Sequence, residues 1–281
     1  MAQRVNPPPS IPDDVYNPTD NPRVNALYGY LDKTVTIVGC GMGGEIALHF
    51  LRSGIKNINL IDFDTLDAGN LVRHPCGAKH IGKNKAKAVR DLLVEYSPAC
   101  RNGIKAYKWN ILDNRAKFES IISQSDAVVI ATDTDSSRFL ANEVCIETKT
   151  PAIYVAMFQK GAGGELFTYI PGGVCYSCLA LHQDRHDYVR EYVDAENKAD
   201  CSSKRDVRSM PGLGIDQSFL AAMAARKTLD ILLEGQEHSL APMGKNWIIW
   251  SLSGIKALES TLSSHQFDLP QHVGCMFCNH A

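Results

Sequence analysis

The chain contains 281 residues, of which 44% are hydrophobic, and it carries a formal net charge of −2. This length allows one large or two small domains, and the hydrophobic content is sufficient for a sizeable core. The nearly neutral balance predicts no strong attraction to nucleic acid or to a membrane surface. No apolar run reaches transmembrane length and the first 25 residues lack a signal-peptide core, so we expect a cytoplasmic protein without a membrane partner.

The first predicted elements are a tail, a strand and a helix. Residues 1–30 are predicted to form an N-terminal tail or arm, because their first part is rich in Pro, Asn and Asp. The β-branched run from Val35 to Val38 predicts a buried strand. The apolar spacing from Glu45 to Ser53 predicts a helix.

The residues between this strand and this helix predict a phosphate-binding turn. Gly39, Gly41 and Gly44 fit the pattern G-x-G-x-x-G, and without side chains the backbone can turn tightly and approach a phosphate. The helix would present free N–H groups and its positive dipole end to an anion. The next predicted strand, Ile58–Ile61, ends at Asp62, where nucleotide-binding domains place a carboxylate on the ribose hydroxyls.

Alternating helices and strands follow in the chain. The patterns predict a helix ending at Tyr96, a strand within 102–109, a helix over 115–123, a strand over 127–131, a helix over 136–148 and a strand over 152–157. From Gly161 an antiparallel segment is expected, then a long helix within 211–235 and a late strand over 247–252. We therefore predict an α/β fold with a Rossmann-like parallel sheet, which antiparallel strands continue into one mixed sheet. Residues 31–281 would form a single domain, with a nucleotide-binding half over 31–160 and a second half over 161–281.

Charged residues after the turn suggest chemistry at a phosphate. Arg73 suits a forked contact to phosphate oxygens, and Lys85 suits a point-charge contact. Asp133 is expected at the end of a strand, where open α/β sheets bind ligands. The alternatives are that both cations are ordinary solvated charges and that Asp133 caps the helix predicted to start at Ser136. Asp135 is the favoured cap of that helix.

The cysteines suggest a metal site. The chain has nine cysteines, including two C-x-x-C pairs, a pattern that favours metal over a disulfide framework. Four thiolates give a closed tetrahedral zinc site that performs no chemistry itself. The alternatives are four reduced core cysteines or a redox pair. The residues concerned are Cys175, Cys178, Cys275 and Cys278.

Taken together, these motifs resemble the ThiF/MoeB family, the ATP-dependent activators of ubiquitin-like and sulfur-carrier proteins. The resemblance is carried by G-C-G-M-G-G, I-D-F-D, N-L-V-R, I-G-K-N-K-A, A-T-D-T-D-S-S-R and the two C-x-x-C pairs, across most of residues 35 to 278. It implies adenylation of the C-terminal glycine carboxylate of a small β-grasp protein, with release of pyrophosphate. It also implies that the second half binds this carrier and holds zinc, and that the protein is a homodimer. The small residues from Phe219 to Ala225 would favour the dimer by permitting close packing.

The resemblance also implies roles for individual residues. Asp62 would bind the ribose of ATP, and Asp133 would bind Mg²⁺, which commonly takes one carboxylate together with phosphates. Arg138 matches an arginine of the family. Further residues are expected to line the nucleotide pocket or to act on the phosphates: Gly39, Gly41, Gly43, Gly44, Asp64, Asn70, Arg73 and Lys85.

One cysteine is a candidate acceptor of the activated carrier. Cys201 lies in a polar run with Lys204 and Arg205 nearby, and neighbouring cations favour a thiolate. The corresponding family segment carries such a cysteine in some members, which would pass the carrier to a downstream conjugating or sulfur-transfer protein. Cys76 is a weaker candidate. Cys40, Cys100 and Cys145 are expected to be core thiols.

Two positions depart from the family pattern, and three other functions stay open. Many members have Gln where this chain has His74, and many begin with R-Y-x-R-Q, where this chain offers Arg23. The alternatives are a ThiF-like enzyme acting on a small peptide or tRNA, an NAD-dependent oxidoreductase and a non-catalytic scaffold. The cation pair disfavours the oxidoreductase, because hydride transfer needs no cations at an α-phosphate.

Overall fold

A computed structural model describes residues 17–29, 31–158, 161–182, 185, 213–251 and 262–278. Within these residues, eight strands form one sheet in the order β3-β2-β1-β4-β5-β6-β7-β8. The strands are β1 Thr34–Val38, β2 Asn57–Ile61, β3 Ile104–Tyr107, β4 Ala127–Ile130, β5 Ala152–Met157, β6 Gly163–Tyr169, β7 Trp247–Ser251 and β8 Ser263–Phe267. The first five pair in parallel and the last three extend the sheet antiparallel. The predicted mixed sheet is confirmed.

The helices of the described residues cover both faces of this sheet. They are α1 Pro22–Tyr28, α2 Met42–Arg52, α3 Lys85–Tyr96, α4 Arg115–Ile122, α5 Asp135–Glu147, α6 Tyr176–Leu181 and α7 Gly214–Leu232. Apolar side chains of α1, α2, α3 and α7 pack on one face. Those of α4, α5 and α6 pack on the other. Because the parallel strands β4 and β5 are buried on both faces, they contain near-continuous apolar runs rather than alternating patterns.

The order of the strands places the candidate site. Val38 pairs with Ile61 on one side and with Ile130 on the other. The carboxyl ends of β1, β2 and β4 therefore meet at one edge of the sheet. The strand order reverses at this point, because β2 and β3 lie on one side of β1 and β4 and β5 lie on the other. Asp62 and Asp133 follow two of these strands.

Three elements were absent from the predictions. Part of the expected tail forms α1, whose Tyr28 hydroxyl donates to the Ser53 carbonyl at 2.6 Å. α6 is a short helix that begins directly after Cys175. β8 is polar and largely exposed, so no apolar pattern marks it.

Most small residues of α7 pack within this chain, although Ala222 is exposed, and the homodimer stays a prediction. Ala221, Ala224 and Ala225 are buried within this single chain, where α7 packs on α2 and on the sheet. Their small size serves that packing. The larger Phe219 is half exposed and stacks on Trp250, with 4.9 Å between the ring centroids.

None of the described helices has the length and apolar character needed to cross a bilayer.

Candidate functional site: a nucleotide-binding edge and a cysteine cluster

The glycine-rich turn has one tight position and one open position. Gly39 has a φ of +88°, and a Cβ on it would lie 2.6 Å from the Ala131 carbonyl oxygen, so only glycine permits this approach. A Cβ on Gly41 would meet nothing within 4 Å. Among the described residues no side chain caps α2, which follows Gly41 directly. The start of α2 therefore offers backbone N–H groups to open space, as an anion site requires.

The other two glycines of the turn pack against the core. A Cβ on Gly43 would lie 2.6 Å from Cγ2 of Ile37, and one on Gly44 would lie 2.8 Å from Cγ2 of Val89. These positions let α2 approach β1 and α3 closely. The two glycines therefore allow the close packing of α2. A direct contact of either glycine with a nucleotide stays a prediction.

Asp62 is buried directly beside the turn. Its carboxylate accepts the Cys40 N–H at 2.6 Å and the Asp64 N–H at 2.8 Å. Burial raises the pKa of Asp62, although these N–H groups and Lys85 oppose the shift. Two backbone bonds fix the orientation of the carboxylate, and it retains lone pairs for further donors such as hydroxyl groups.

Lys85 is held by its own ion pair. Its Nζ lies 2.9 Å from Oδ2 of Asp64, and its backbone N–H donates to the Asp64 carbonyl at 2.8 Å. Asn84 donates to the carbonyls of Asp62 and Asp64 at 2.8 and 2.9 Å. This buried amide, which was not among the predicted site residues, joins the end of β2 to the start of α3 and so positions Lys85. The motif I-G-K-N-K, which contains Asn84, was the sequence pattern that could have indicated this role.

Asn70 lies on a short 3-10 helix, Ala68–Val72, and Arg73 is the C-cap residue of that helix. The Asn70 side chain accepts the N–H of Asp67, whose carboxylate accepts the Asn70 N–H in return. Asn70 thus closes a local capping box, and its contact with a nucleotide stays a prediction.

Arg73 ends this helix, and its N–H donates to the Asn70 carbonyl at 3.0 Å. Pro75 packs on Gly44, which brings the segment around Arg73 against the start of α2.

Asp133 is exposed in the loop that joins β4 to α5. The helix begins at Asp135, one residue earlier than predicted, and its N-cap is Thr134. The expectation that Asp135 caps the helix is therefore wrong, and so is the alternative of Asp133 as the cap. Arg138 is buried and donates to the Thr132 carbonyl at 2.8 and 3.1 Å, which holds the residue next to Asp133.

His74 follows Arg73 in the chain and its side chain is buried. Many family members have Gln at this position. Nδ1 of His74 accepts the Cys76 N–H at 3.1 Å, while its Nε2 has no hydrogen-bond partner among the described residues. Burial and the nearby Lys85 lower the pKa of His74 to about 4, against a smaller opposing effect of the Cys40 backbone. The imidazole is therefore neutral at physiological pH.

Glu165 and Arg185 form a buried ion pair near Arg138. The Glu165 carboxylate accepts Nη2 of Arg185 at 2.8 Å and Nε1 of Trp247 at 3.1 Å. Burial raises the pKa of Glu165, but Arg185 and Arg138 outweigh burial and the net shift is downward. No recognisable sequence motif indicates this ion pair, whose members lie 20 residues apart.

The cysteine cluster brings the two C-x-x-C pairs together. The sulfurs of Cys175, Cys178, Cys275 and Cys278 all lie within 4.8 Å of one another. The separations include 3.8 Å between Cys175 and Cys178, 3.5 Å between Cys175 and Cys275, and 3.2 Å between Cys178 and Cys278. A tetrahedral ion with Zn–S bonds of about 2.3 Å would separate its sulfurs by roughly 3.8 Å. The donor set therefore fits zinc.

Backbone N–H groups support a thiolate in this cluster. The His272 N–H donates to Sγ of Cys178 at 3.3 Å. Burial disfavours the Cys275 thiolate, but the N–H groups of Cys278 and Phe277 and the neighbouring sulfurs outweigh it and lower the pKa of Cys275 to about 7. Burial and neighbouring sulfurs instead raise the pKa of Cys175 to about 11 and also raise that of Cys278, so metal ligation would have to displace their protons.

The remaining cysteines are four buried thiols and Cys201. Cys40, Cys100 and Cys145 are buried, as expected of core thiols. Burial raises the pKa of Cys76 to about 12, so the structure argues against its role as an acceptor. Cys201 lies outside the described residues.

Comparison with known proteins identifies the family. The ThiF family model matches residues 26–269, which is most of the chain. The chain belongs to the ThiF family. It is 32% identical over 151 residues to the molybdopterin-synthase adenylyltransferase of Escherichia coli K12, covering 53% of this chain and 59% of that protein. It is 29% identical over 157 residues to the adenylyltransferase and sulfurtransferase uba4 of Pyricularia oryzae, covering 52% of this chain and 31% of that one.

Solved structures share the ThiF fold. E. coli MccB with ATP has a TM-score of 0.62 at 21% identity, covering 91% of this chain and 68% of MccB. PaaA has a TM-score of 0.64 at 18% identity, covering 84% of this chain and 72% of PaaA. The matched parts span less than two thirds of the two curated relatives. These similarities establish the family and the fold.

Proposed function

We propose that this protein is an ATP-dependent adenylyltransferase that activates the C-terminal carboxylate of a ubiquitin-like or sulfur-carrier protein ending in glycine. The observation that carries the proposal is the assembly at one sheet edge of an open helix N-terminus, the fixed Asp62 carboxylate and the Lys85 ammonium. The names of the curated relatives, which include adenylyltransferases from a bacterium and a fungus, support it.

Each part of ATP has a matching group in this site. Asp62 would accept the ribose hydroxyls, and the N-terminus of α2 would face the phosphates. Arg73 and Lys85 would offset the charge of the phosphates. Asp133 is exposed at the end of β4 and would hold Mg²⁺, which supplies further positive charge. NAD is disfavoured as the ligand, because a hydride-transfer site has no need of this cation pair.

The reaction brings two anions together. A carboxylate oxygen of the carrier attacks the α-phosphorus of ATP, and the bond from this phosphorus to the bridging oxygen of the β-phosphate breaks. Pyrophosphate leaves and an acyl-adenylate remains. The cations let the anionic carboxylate approach, and the fixed positions of Asp62 and Lys85 hold the nucleotide for in-line attack.

The second half of the chain would supply structure and carrier binding. The four cysteines would hold a structural zinc that joins α6 to the C-terminal segment. We infer a cytoplasmic homodimer from the family resemblance alone. Transfer of the activated carrier to Cys201 as a thioester, and then to a conjugating or sulfur-transfer protein, is the final part of the proposal.

Two experiments test this function. Calorimetry with Mg²⁺-ATP and with NAD should show binding of ATP only, and binding of NAD without ATP would overturn the proposal. ATP–pyrophosphate exchange should then require a carrier with its C-terminal glycine and disappear when this glycine is deleted. Exchange with a short peptide in place of any carrier would instead indicate a peptide substrate.

A further inference from the structure

The first turn of α7 contacts the segment that carries Arg73. The Gln217 side chain, which is only 4% exposed, donates from Nε2 to the Arg73 carbonyl at 2.6 Å. Gly214 lies so close to this segment that a Cβ on it would be 2.9 Å from the Val72 carbonyl oxygen. The contact joins residues 144 positions apart in the chain.

The same turn also reaches the start of α2. Ser218, next to Gln217, donates from its hydroxyl to Oε1 of Glu45 at 2.6 Å. Glu45 lies in the first turn of α2, whose N-terminus faces the open part of the nucleotide site. Two neighbouring residues of α7 therefore hold two separate parts of that site.

The hydrogen bond from Gln217 fixes the orientation of the peptide plane that follows Arg73. Arg73 leaves its 3-10 helix with φ −142° and ψ −3°. Its N–H is held by the Asn70 carbonyl at 3.0 Å, and its own carbonyl is held by Gln217. Both peptide planes around Arg73 are thus fixed, and with them the direction of its Cα–Cβ bond. A forked guanidinium contact depends strongly on this direction, because its two parallel bonds need a defined plane.

We propose that Gln217 is a positioning residue that orients Arg73 toward the phosphates of ATP. The inference rests on the proposed function and deepens it, because it assigns the first turn of α7 to nucleotide binding. Gln217 touches no reacting atom in this account and acts through the backbone of Arg73.

Substitution of Gln217 tests the role directly. Gln217→Met has nearly the same length and cannot donate a hydrogen bond, so it should weaken ATP binding by about tenfold or more in calorimetry. Gly214→Ala should weaken ATP binding in the same direction, because its Cβ pushes on Val72 without removing a hydrogen bond. The matched control is Thr228→Val, a buried position on the same helix whose hydroxyl bonds the Ala224 carbonyl at 2.8 Å. It should lower stability without changing ATP affinity.

A double-mutant cycle separates positioning from general destabilisation. In an Arg73→Ala background, Gln217→Met should cause no further loss of ATP affinity, because its effect passes through Arg73. An equal loss in both backgrounds, or parent-like ATP affinity of Gln217→Met, would overturn the inference while leaving the proposed function intact. A parent protein that binds no ATP would overturn both.

Discussion

The two halves of the sheet differ in how their important residues come together. In the parallel half, the glycine turn, Asp62 and Lys85 lie within one stretch of about 50 residues and meet through local connections. In the antiparallel half, the four cysteines and the hydrogen bond from Trp247 to Glu165 join segments far apart in the chain. The motifs of the first half can therefore be recognised in one short stretch of sequence, whereas the second half is organised by long-range contacts. Substitution of Asp133 should therefore mainly lower activity, and substitution of a cluster cysteine should mainly lower stability.

The largest effect on stability is expected at the cysteine cluster. Cys178→Ser removes one zinc ligand, and because metal binding contributes folding free energy, the thermal midpoint should fall by about 10 °C or more. Thermal unfolding together with metal analysis of reduced protein would measure both. Cys145→Ala, at a buried core thiol, is the control and should keep the full zinc content. Freshly purified parent protein without zinc would contradict the site.

The cluster also shows the limit of sequence-based prediction. The strands of the parallel half were predicted to within about two residues, because buried β-branched runs are a local signal. β8 was missed because four of its five residues are polar and the strand is mostly exposed. The meeting of the two C-x-x-C pairs depended on family resemblance, since 96 residues separate them.

At the candidate nucleotide site, the roles of the predicted residues stay predictions, and the residues that support them were not predicted. The parallel sheet places Asp62 and Asp133 at one edge as the motif order implied. Gln217 could not be predicted, because an amide on an apolar helix gives no indication of a partner 144 residues away. Thr134 as the cap of α5 was missed because two aspartates flank it and caps are often aspartates.

The sharpest loss of activity without loss of stability is expected at Asp133. Asp133→Ala should reduce carrier-dependent ATP–pyrophosphate exchange by about a hundredfold or more, because it removes a carboxylate proposed to hold Mg²⁺ on the reacting phosphates. The thermal midpoint should not change, since Asp133 is exposed and does not cap α5. Asp135→Ala, two residues away and also exposed, is the matched control and should retain exchange. Near-normal exchange in Asp133→Ala would exclude a role at the metal.

A smaller effect, in the pH dependence of stability, is expected at His74. Burial lowers the pKa of His74 to about 4, so from pH 6.5 down to that value the unfolded chain binds a proton that the folded protein excludes. Stability therefore falls as the pH falls through this window, by about 2 kcal/mol between pH 7 and pH 5. His74→Gln should remove this loss, as measured by urea unfolding at both pH values. His265→Gln, on exposed β8, should leave the loss unchanged, and an equal loss in His74→Gln would show that the group titrates normally.

The smallest effect on the first chemical step is expected at Cys201. An acyl-adenylate is a mixed anhydride, and a thiolate that attacks its carbonyl carbon would form a thioester and release AMP. Cys201 is flanked by Lys204 and Arg205, which favour the thiolate. Cys201→Ala should therefore keep the parent rate of pyrophosphate exchange and lose a thiol-sensitive adduct with the carrier on non-reducing electrophoresis. Cys76→Ala, at a buried thiol with a raised pKa, should keep the adduct. If no adduct forms in the parent protein, or if it survives in Cys201→Ala, Cys201 is not the acceptor and the proposed reaction ends at the adenylate.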